Sequence, residues 1–87
     1  MSDHAAIRAH VLAIFEQLAI EPPDAGVDLF DTGVLDSLAF VQLLLQLEER
    51  LGVTVSLEDL EIDHFRTIEH IVDFVAAFHQ RRPRLAI

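Results

Sequence analysis

Residues 29–40 read LFDTGVLDSLAF, Leu29 to Phe40, and the fold turns on how the centre of that stretch is understood. Asp36 and Ser37 stand between Leu35 and Leu38, and a run of leucines follows. An Asp-Ser pair ahead of a periodic apolar run marks a helix start, because a carboxylate at that point accepts from backbone N–H groups that lack partners within the helix. Asp36 suffices for this. The hydroxyl of Ser37 is then either an additional capping group or a handle for covalent modification. A helix start favours an anion through its free N–H groups and its dipole, so a phosphoryl group on that hydroxyl would be well placed. Gly33 supplies a flexible turn just upstream, which keeps either option sterically open.

Downstream, the spacing predicts a helix from Asp36-Ser37 to Leu51, with Gly52 as its left-handed stop. At 100° per residue, Phe40, Leu43, Leu44, Leu47 and Leu51 share one arc, and Gln42, Gln46, Glu49 and Arg50 lie opposite. Leu38, Val41 and Leu45 extend the apolar band to the edge of the polar face, with Glu48 beside Val41. A band this wide has two readings. Either the helix is buried on two sides, or its outer edge is a docking strip of Leu38, Val41, Gln42 and Leu45 with Asp36, Glu48 and Glu49 as a charged rim.

Upstream, Ile7, Val11, Ile14 and Leu18 recur at helical spacing and predict a first helix over residues 5–19, capped by Ser2 or Asp3 and unable to pass Pro22-Pro23. Residues 21–36 form a long connection with two glycines and four aspartates, in which Val27, Leu29, Phe30 and Leu35 can pin the loop to a core. Long ordered loops of this kind are usually functional. After Gly52, the residues Ser56-Leu57-Glu58-Asp59 can open one short helical turn. Thr67 caps a last helix carrying Ile68, Ile71, Val72, Val75 and Phe78, which Pro83 ends. The expected fold is all-α: a small bundle of three main helices plus one short helix before the last, a four-helix bundle if the short one is counted. Residues 1–80 make the domain and residues 81–87 a basic C-terminal tail. Phe15, Phe30, Phe74 and Phe78 are expected to fill the interior and leave little room for a long buried chain.

Composition narrows the function classes. The chain has 87 residues, 52% of them hydrophobic, which is enough for one core. It has no cysteine, which excludes disulfides, thiolate metal sites and a thiol nucleophile. Its net charge is −9, it has six arginines and no lysine, and residues 1–80 hold all fifteen acids against three arginines, a net −12. That surface repels nucleic acid and anionic membrane and steers toward partners with basic patches. No apolar run approaches the length of a membrane span and the N-terminus lacks a signal pattern, so a cytoplasmic monomer is expected.

Catalytic readings of Ser37 find little support. A serine nucleophile needs an oriented base. His4, His10, His64, His70 and His79 show no third partner, and the Gly-x-Ser-x-Gly elbow is absent. A calcium loop starting at Asp28 would place Phe30 and Ala39 where oxygen ligands are required. Capping and modification remain, and with them two kinds of protein: a helical protein-interaction module that is never modified, or one that works through a group attached to Ser37.

GVLDSL (Gly33 to Leu38), with LF upstream and VQLLLQLEERLGV downstream, resembles the attachment signature of acyl and peptidyl carrier proteins. The resemblance is strong over residues 29–55 and extends through the helical layout over residues 3–80. It implies that Ser37, flanked by Asp36 and Leu38, receives a 4′-phosphopantetheine arm from coenzyme A, added by a phosphopantetheinyl transferase, making a phosphoprotein. The arm would supply the thiol that the chain lacks, and an acyl or aminoacyl group would travel on it as a thioester. The implied partners are acyl- or aminoacyl-activating ligases and acyltransferases with basic surfaces, reading Leu38, Val41, Gln42, Leu45, Glu48 and Glu49. The protein itself would catalyse nothing. Fatty-acid carriers place acids where this chain has Ala39 and Gln42. The VQLLLQLEE stretch and the long connection from Gly52-Val53 to Thr67 are more similar to D-alanyl and other aminoacyl carriers, although Phe65 and Ile68 replace the Trp and Pro usual there. The resemblance thus implies a stand-alone carrier outside primary fatty-acid synthesis, serving lipid or secondary-metabolite biosynthesis with an aminoacyl or specialised acyl cargo.

Overall fold

A computed structural model describes residues 4–56 and 60–81, with side chains through residue 79. Three α-helices, α1 (His4–Gln17), α2 (Ser37–Leu51) and α3 (Ile68–Arg81), are joined by a long first loop and by a second connection that holds a 3-10 turn at Ile62–Phe65. No strand occurs among the described residues. The expected all-α layout, with a short helical element before the last helix, is therefore observed. The four-helix count is not: four residues of 3-10 geometry do not make a fourth packed helix, because such turns close poorer hydrogen bonds and seldom propagate. The turn expected to open at Ser56-Leu57-Glu58-Asp59 falls on residues 57–59, which lie outside the described residues.

Each helix follows from its apolar spacing. Ile7, Val11 and Ile14 form the buried stripe of α1, with Phe15 beside them. The helix ends two residues before the predicted limit, because Ala19 turns left-handed at φ 61°. The N–H groups of Ala19 and Ile20 then donate to the carbonyls of Glu16 and Phe15, at 3.0 and 2.9 Å. This is a Schellman closure with alanine where glycine is usual. The predicted caps Ser2 and Asp3 are outside the described residues. Thr67 caps α3 as predicted, its Oγ1 accepting from the His70 N–H at 3.0 Å. Ile68, Ile71, Val72 and Val75 are buried, while Pro83 and the tail lie beyond the described residues.

α1 packs against both α2 and α3, and the 3-10 turn packs on α3. The interior differs from expectation in one respect. Phe15 is fully buried, but Phe30, Phe74 and Phe78 are only half-buried, and it is Phe65, from the 3-10 turn, that occupies the centre. Phe65 lies between Phe40 of α2 and Phe74 of α3, with ring centroids at 5.3 and 5.2 Å, and Phe30 of the first loop meets Phe40 edge-on at 5.5 Å. This row ties the loop, α2, the 3-10 turn and α3 together beneath the start of α2. Inclined aromatic pairs of this kind add about 0.5–1.5 kcal/mol each beyond the area they bury.

The first loop is held through its backbone. Leu29 and Leu35 are buried, the Leu35 N–H donates to the Leu29 carbonyl at 2.9 Å, and the Leu29 N–H donates to the carbonyl of Arg66. The Asp28 carboxylate accepts from the N–H groups of Phe30 and Asp31 at 3.0 and 2.9 Å. Its other oxygen meets the Arg66 guanidinium at 3.2 Å. The Asp31 N–H has the largest influence on the Asp28 carboxyl; desolvation, which comes next, pushes it up, and the Arg66 side chain and the Phe30 N–H join the Asp31 N–H in holding it below its ordinary value of 3.8.

Two expectations follow. Ala19→Gly relieves the left-handed alanine and should raise unfolding stability by about 0.5–1 kcal/mol in urea titrations, the looser unfolded chain offsetting part of the gain. Because the folded state lowers the Asp28 pKa, this carboxylate stabilises the fold above the unfolded value and ceases to do so as pH falls through the folded one. Asp28→Asn should therefore lower the urea midpoint at neutral pH, and its deficit against wild type should shrink below the ordinary value of 3.8. A deficit that stays constant across that range would show that the carboxylate charge plays no part.

Candidate functional site

The stretch that opens α2 is shaped by three residues in turn. Gly33 is left-handed at φ 78°, and a Cβ there would meet nothing within 4 Å, so the backbone angle and not crowding calls for glycine. Leu35 is buried and fixes the chain just before the helix. Asp36 is extended, at φ −93° and ψ −175°, and its Oδ1 accepts from the Ala39 N–H at 2.8 Å while its carbonyl takes the Phe40 N–H, also at 2.8 Å. The capping role thus belongs to Asp36, as the sequence suggested. Ser37 is the first residue of α2 and its side chain is exposed. The N–H groups of Ser37 and Leu38 belong to the first turn, where the helix itself offers no acceptor. An exposed alcohol at the positive end of a helix can take a phosphodiester with little reorganisation and with favourable electrostatics.

Exposure differs across the two edges of the apolar band of α2. Leu43 and Leu47 are buried and Phe40, Leu44 and Leu51 are half-buried, as the core arc requires. Leu38, Val41 and Leu45, in contrast, are 67%, 52% and 53% exposed, so the far edge of the apolar band is uncovered. Gln42, Glu48 and Glu49 are exposed beside it. Val41, Leu44, Leu45 and Glu48 line a groove of about 280 Å³ whose other wall is Thr54 and Val55. From Ser37 to Leu47 the helix carries no charge, and the acids come only at Glu48 and Glu49.

The groove wall and one more exposed apolar side chain escaped the sequence reading. Val53, Thr54 and Val55 are buried, exposed and half-buried in turn, a two-residue alternation too short to stand out as a pattern. Ile62, 49% exposed on the 3-10 turn, has no periodic partner that would single it out.

The Nε2 atoms of His4, His64 and His79 approach Asp73 at 3.2 Å, Glu61 at 3.6 Å and the Leu51 carbonyl at 2.8 Å. His10 and His70 are exposed. Among the described residues no three His, Asp or Glu side chains converge to hold a metal ion, and Asp28 spends its oxygens on the loop and on Arg66. None of the helices, over the described residues, is long and apolar enough to cross a membrane.

Comparison with known proteins bears on the same stretch. A family model described as the phosphopantetheine attachment site matches residues 6–75. The chain is 40% identical over 70 residues to a D-alanyl carrier protein of Listeria monocytogenes serotype 4a, a match spanning 77% of this chain and 90% of the relative. It is 40% identical over 73 residues to D-alanyl carrier protein 2 of Lactiplantibacillus plantarum, spanning 82% and 91%. A D-alanyl carrier protein of Streptococcus sanguinis is 38% identical over 71 residues, spanning 79% and 90%.

The two faces of α2 should respond differently to truncation. Leu43→Ala empties a fully buried site and should cost about 2–5 kcal/mol in urea unfolding. Leu38→Ala and Leu45→Ala remove exposed groups and should change stability by less than about 0.5 kcal/mol. A large loss at either exposed leucine would show that the band is covered after all.

Proposed function

The chain belongs to the family of proteins with a phosphopantetheine attachment site, and from that premise we propose that Ser37 is the residue that bears the arm. The observation behind this assignment is an exposed hydroxyl on the first residue of α2, beside a cap that Asp36 already provides. The chain is a carrier of acyl or aminoacyl groups and not a catalyst. Attachment forms a bond from the Ser37 oxygen to the phosphorus of coenzyme A nearest the pantetheine. It expels the adenosine bisphosphate half, and the hydroxyl proton passes to a base on the transferase. The bound arm supplies a thiol that holds the cargo as a thioester, chemistry that a cysteine-free chain cannot provide.

The residues of the chain act by presenting and docking. Asp36 fixes the first turn of α2, and the dipole of that helix favours the arm's phosphate. Leu38, Val41, Gln42, Leu45, Glu48 and Glu49 form the surface read by the phosphopantetheinyl transferase, by the ligase that loads the cargo and by the acyltransferase that removes it. Such partners would offer apolar contacts near Ser37 and a basic group near Glu48 and Glu49. A tethered cargo meets each of these enzymes at a raised effective concentration. Support for an amino-acid cargo comes from relatives named for D-alanine and from the neutral residues Ala39 and Gln42, where fatty-acid carriers resemble one another in bearing acids. Lipid and secondary-metabolite pathways gain no such support. The buried core runs from Ile7 to Ala76, which supports a carrier unit over residues 1–80 with residues 81–87 as a basic tail. We place its loading in the cytoplasm, where coenzyme A and ATP are available, with the carrier acting as a monomer whose apolar strip is free for partners.

Incubation with coenzyme A and a broad-specificity phosphopantetheinyl transferase should add the mass of one arm to the wild-type chain and none to Ser37→Ala. An unchanged wild-type mass would reject the assignment. The loaded form, given ATP, D-alanine and a D-alanine-activating ligase, should gain one alanyl group. Charging by a fatty-acyl ligase instead would move the cargo to the acyl class.

A further inference from the structure

Arg66 lies outside every helix, far along the chain from Ser37, yet it grips the loop that leads to Ser37 in two places. Its Nη1 meets Asp28 Oδ2 at 3.2 Å, and its Nε donates to Asp63 Oδ1 at 2.7 Å, which sets the plane of the guanidinium. Its main-chain carbonyl accepts the N–H of the next loop residue, Leu29. The two oxygens of Asp28 are divided between these tasks: Oδ2 faces Arg66, and Oδ1 gathers the N–H groups of Phe30 and Asp31. The Asp28 carbonyl takes the Thr32 hydroxyl at 2.7 Å. From Leu29 the grip passes to Leu35, whose N–H donates to the Leu29 carbonyl at 2.9 Å. Leu35 directly precedes Asp36 and Ser37.

The side chains of Arg66 and Asp28 are 43% and 29% exposed, and ion pairs so open to water add little to stability. A rigid two-pronged guanidinium is better suited to fixing direction. A loop that must be read by an external enzyme gains from this, because a chain whose competent conformation is only partly populated binds with an apparent affinity reduced by that fraction.

We infer that Arg66 is a positioning residue for the modification of Ser37, holding residues 28–35, with Asp28 as its relay, in the conformation that the transferase reads. The inference rests on Ser37 as the attachment point. It extends the functional surface beyond α2 to a residue that touches neither the hydroxyl nor the docking strip.

The test follows arm transfer from coenzyme A to the unmodified chain, with KM for the carrier and kcat determined separately, well below the melting temperature. Variants are Arg66→Met, Arg66→Lys, Asp28→Asn and the Arg66→Met/Asp28→Asn pair. Asparagine keeps an oxygen for Phe30 and Asp31 but loses the charge facing Arg66. Arg66→Met should raise KM about three- to tenfold with kcat little changed, and amide exchange at Leu29 and Leu35 should quicken while helix content by circular dichroism is retained. Arg66→Lys should recover part of the loss, Asp28→Asn should match Arg66→Met, and the pair should be no worse than either alone. Should Arg66→Met not remain folded, Arg66→Lys and Asp28→Asn decide. An unchanged KM, additive losses in the pair, or a loss that merely follows the unfolded fraction would overturn the positioning role. A wild-type chain that accepts no arm would overturn the Ser37 assignment itself, whereas normal wild-type transfer with unaffected variants would overturn this inference alone.

Discussion

The attachment of the first loop to the body of the protein through Leu29 is the constraint on which the functional surface depends. Its side chain is buried, its N–H is taken by the Arg66 carbonyl, and its carbonyl takes the Leu35 N–H. A connection this long has ample conformational entropy to lose, and two buried leucines with their backbone bonds are what offset it. With Leu29 and Leu35 anchored, Asp36 arrives in the extended conformation that an N-cap requires, and Ser37 is left facing solvent at a defined point. Without them the same helix could form, but the direction from which its first residue is approached would not be fixed.

The body that anchors the loop is economical. α1 contributes one apolar stripe, α3 another, and Phe65 from the 3-10 turn closes the space between Phe40 and Phe74. The core arc of α2 is satisfied by this packing. Its outer edge is consequently free, and Leu38, Val41 and Leu45 stay exposed on a chain whose charge elsewhere keeps it dispersed. Their exposure is a local departure from burial, and the proposed docking role rests on it.

The exposed surface of α2 is graded in charge along the helix. The helix is neutral from Ser37 to Leu47 and acidic only at Glu48 and Glu49. Apolar side chains and an amide therefore lie next to Ser37, and charge lies at the far end of the helix. In the proposed docking role, attraction over distance and orientation at contact would be separated along one helix, the acids steering the encounter and the leucines and Val41 supplying the desolvated contact.

The sequence alone determined the three helices, the cap at Asp36, the stop at Gly52 and the identity of the exposed alcohol, because helical period, capping chemistry and the glycine φ are local properties written in neighbouring residues. It also marked the strip on α2, since an apolar band wider than a core face is visible in one dimension. Only the tertiary structure decided that the strip is uncovered, since exposure depends on what other elements pack against it. It alone placed Phe65 at the centre in preference to Phe30, Phe74 and Phe78, joined Thr54 and Val55 to Val41 in one groove, and brought Arg66 to Asp28. These pairings link residues far apart in the chain, and no periodicity couples positions that meet only when the bundle closes. The early end of α1 at Ala19 belongs to the same class, because a left-handed alanine is held by the fold against its own preference.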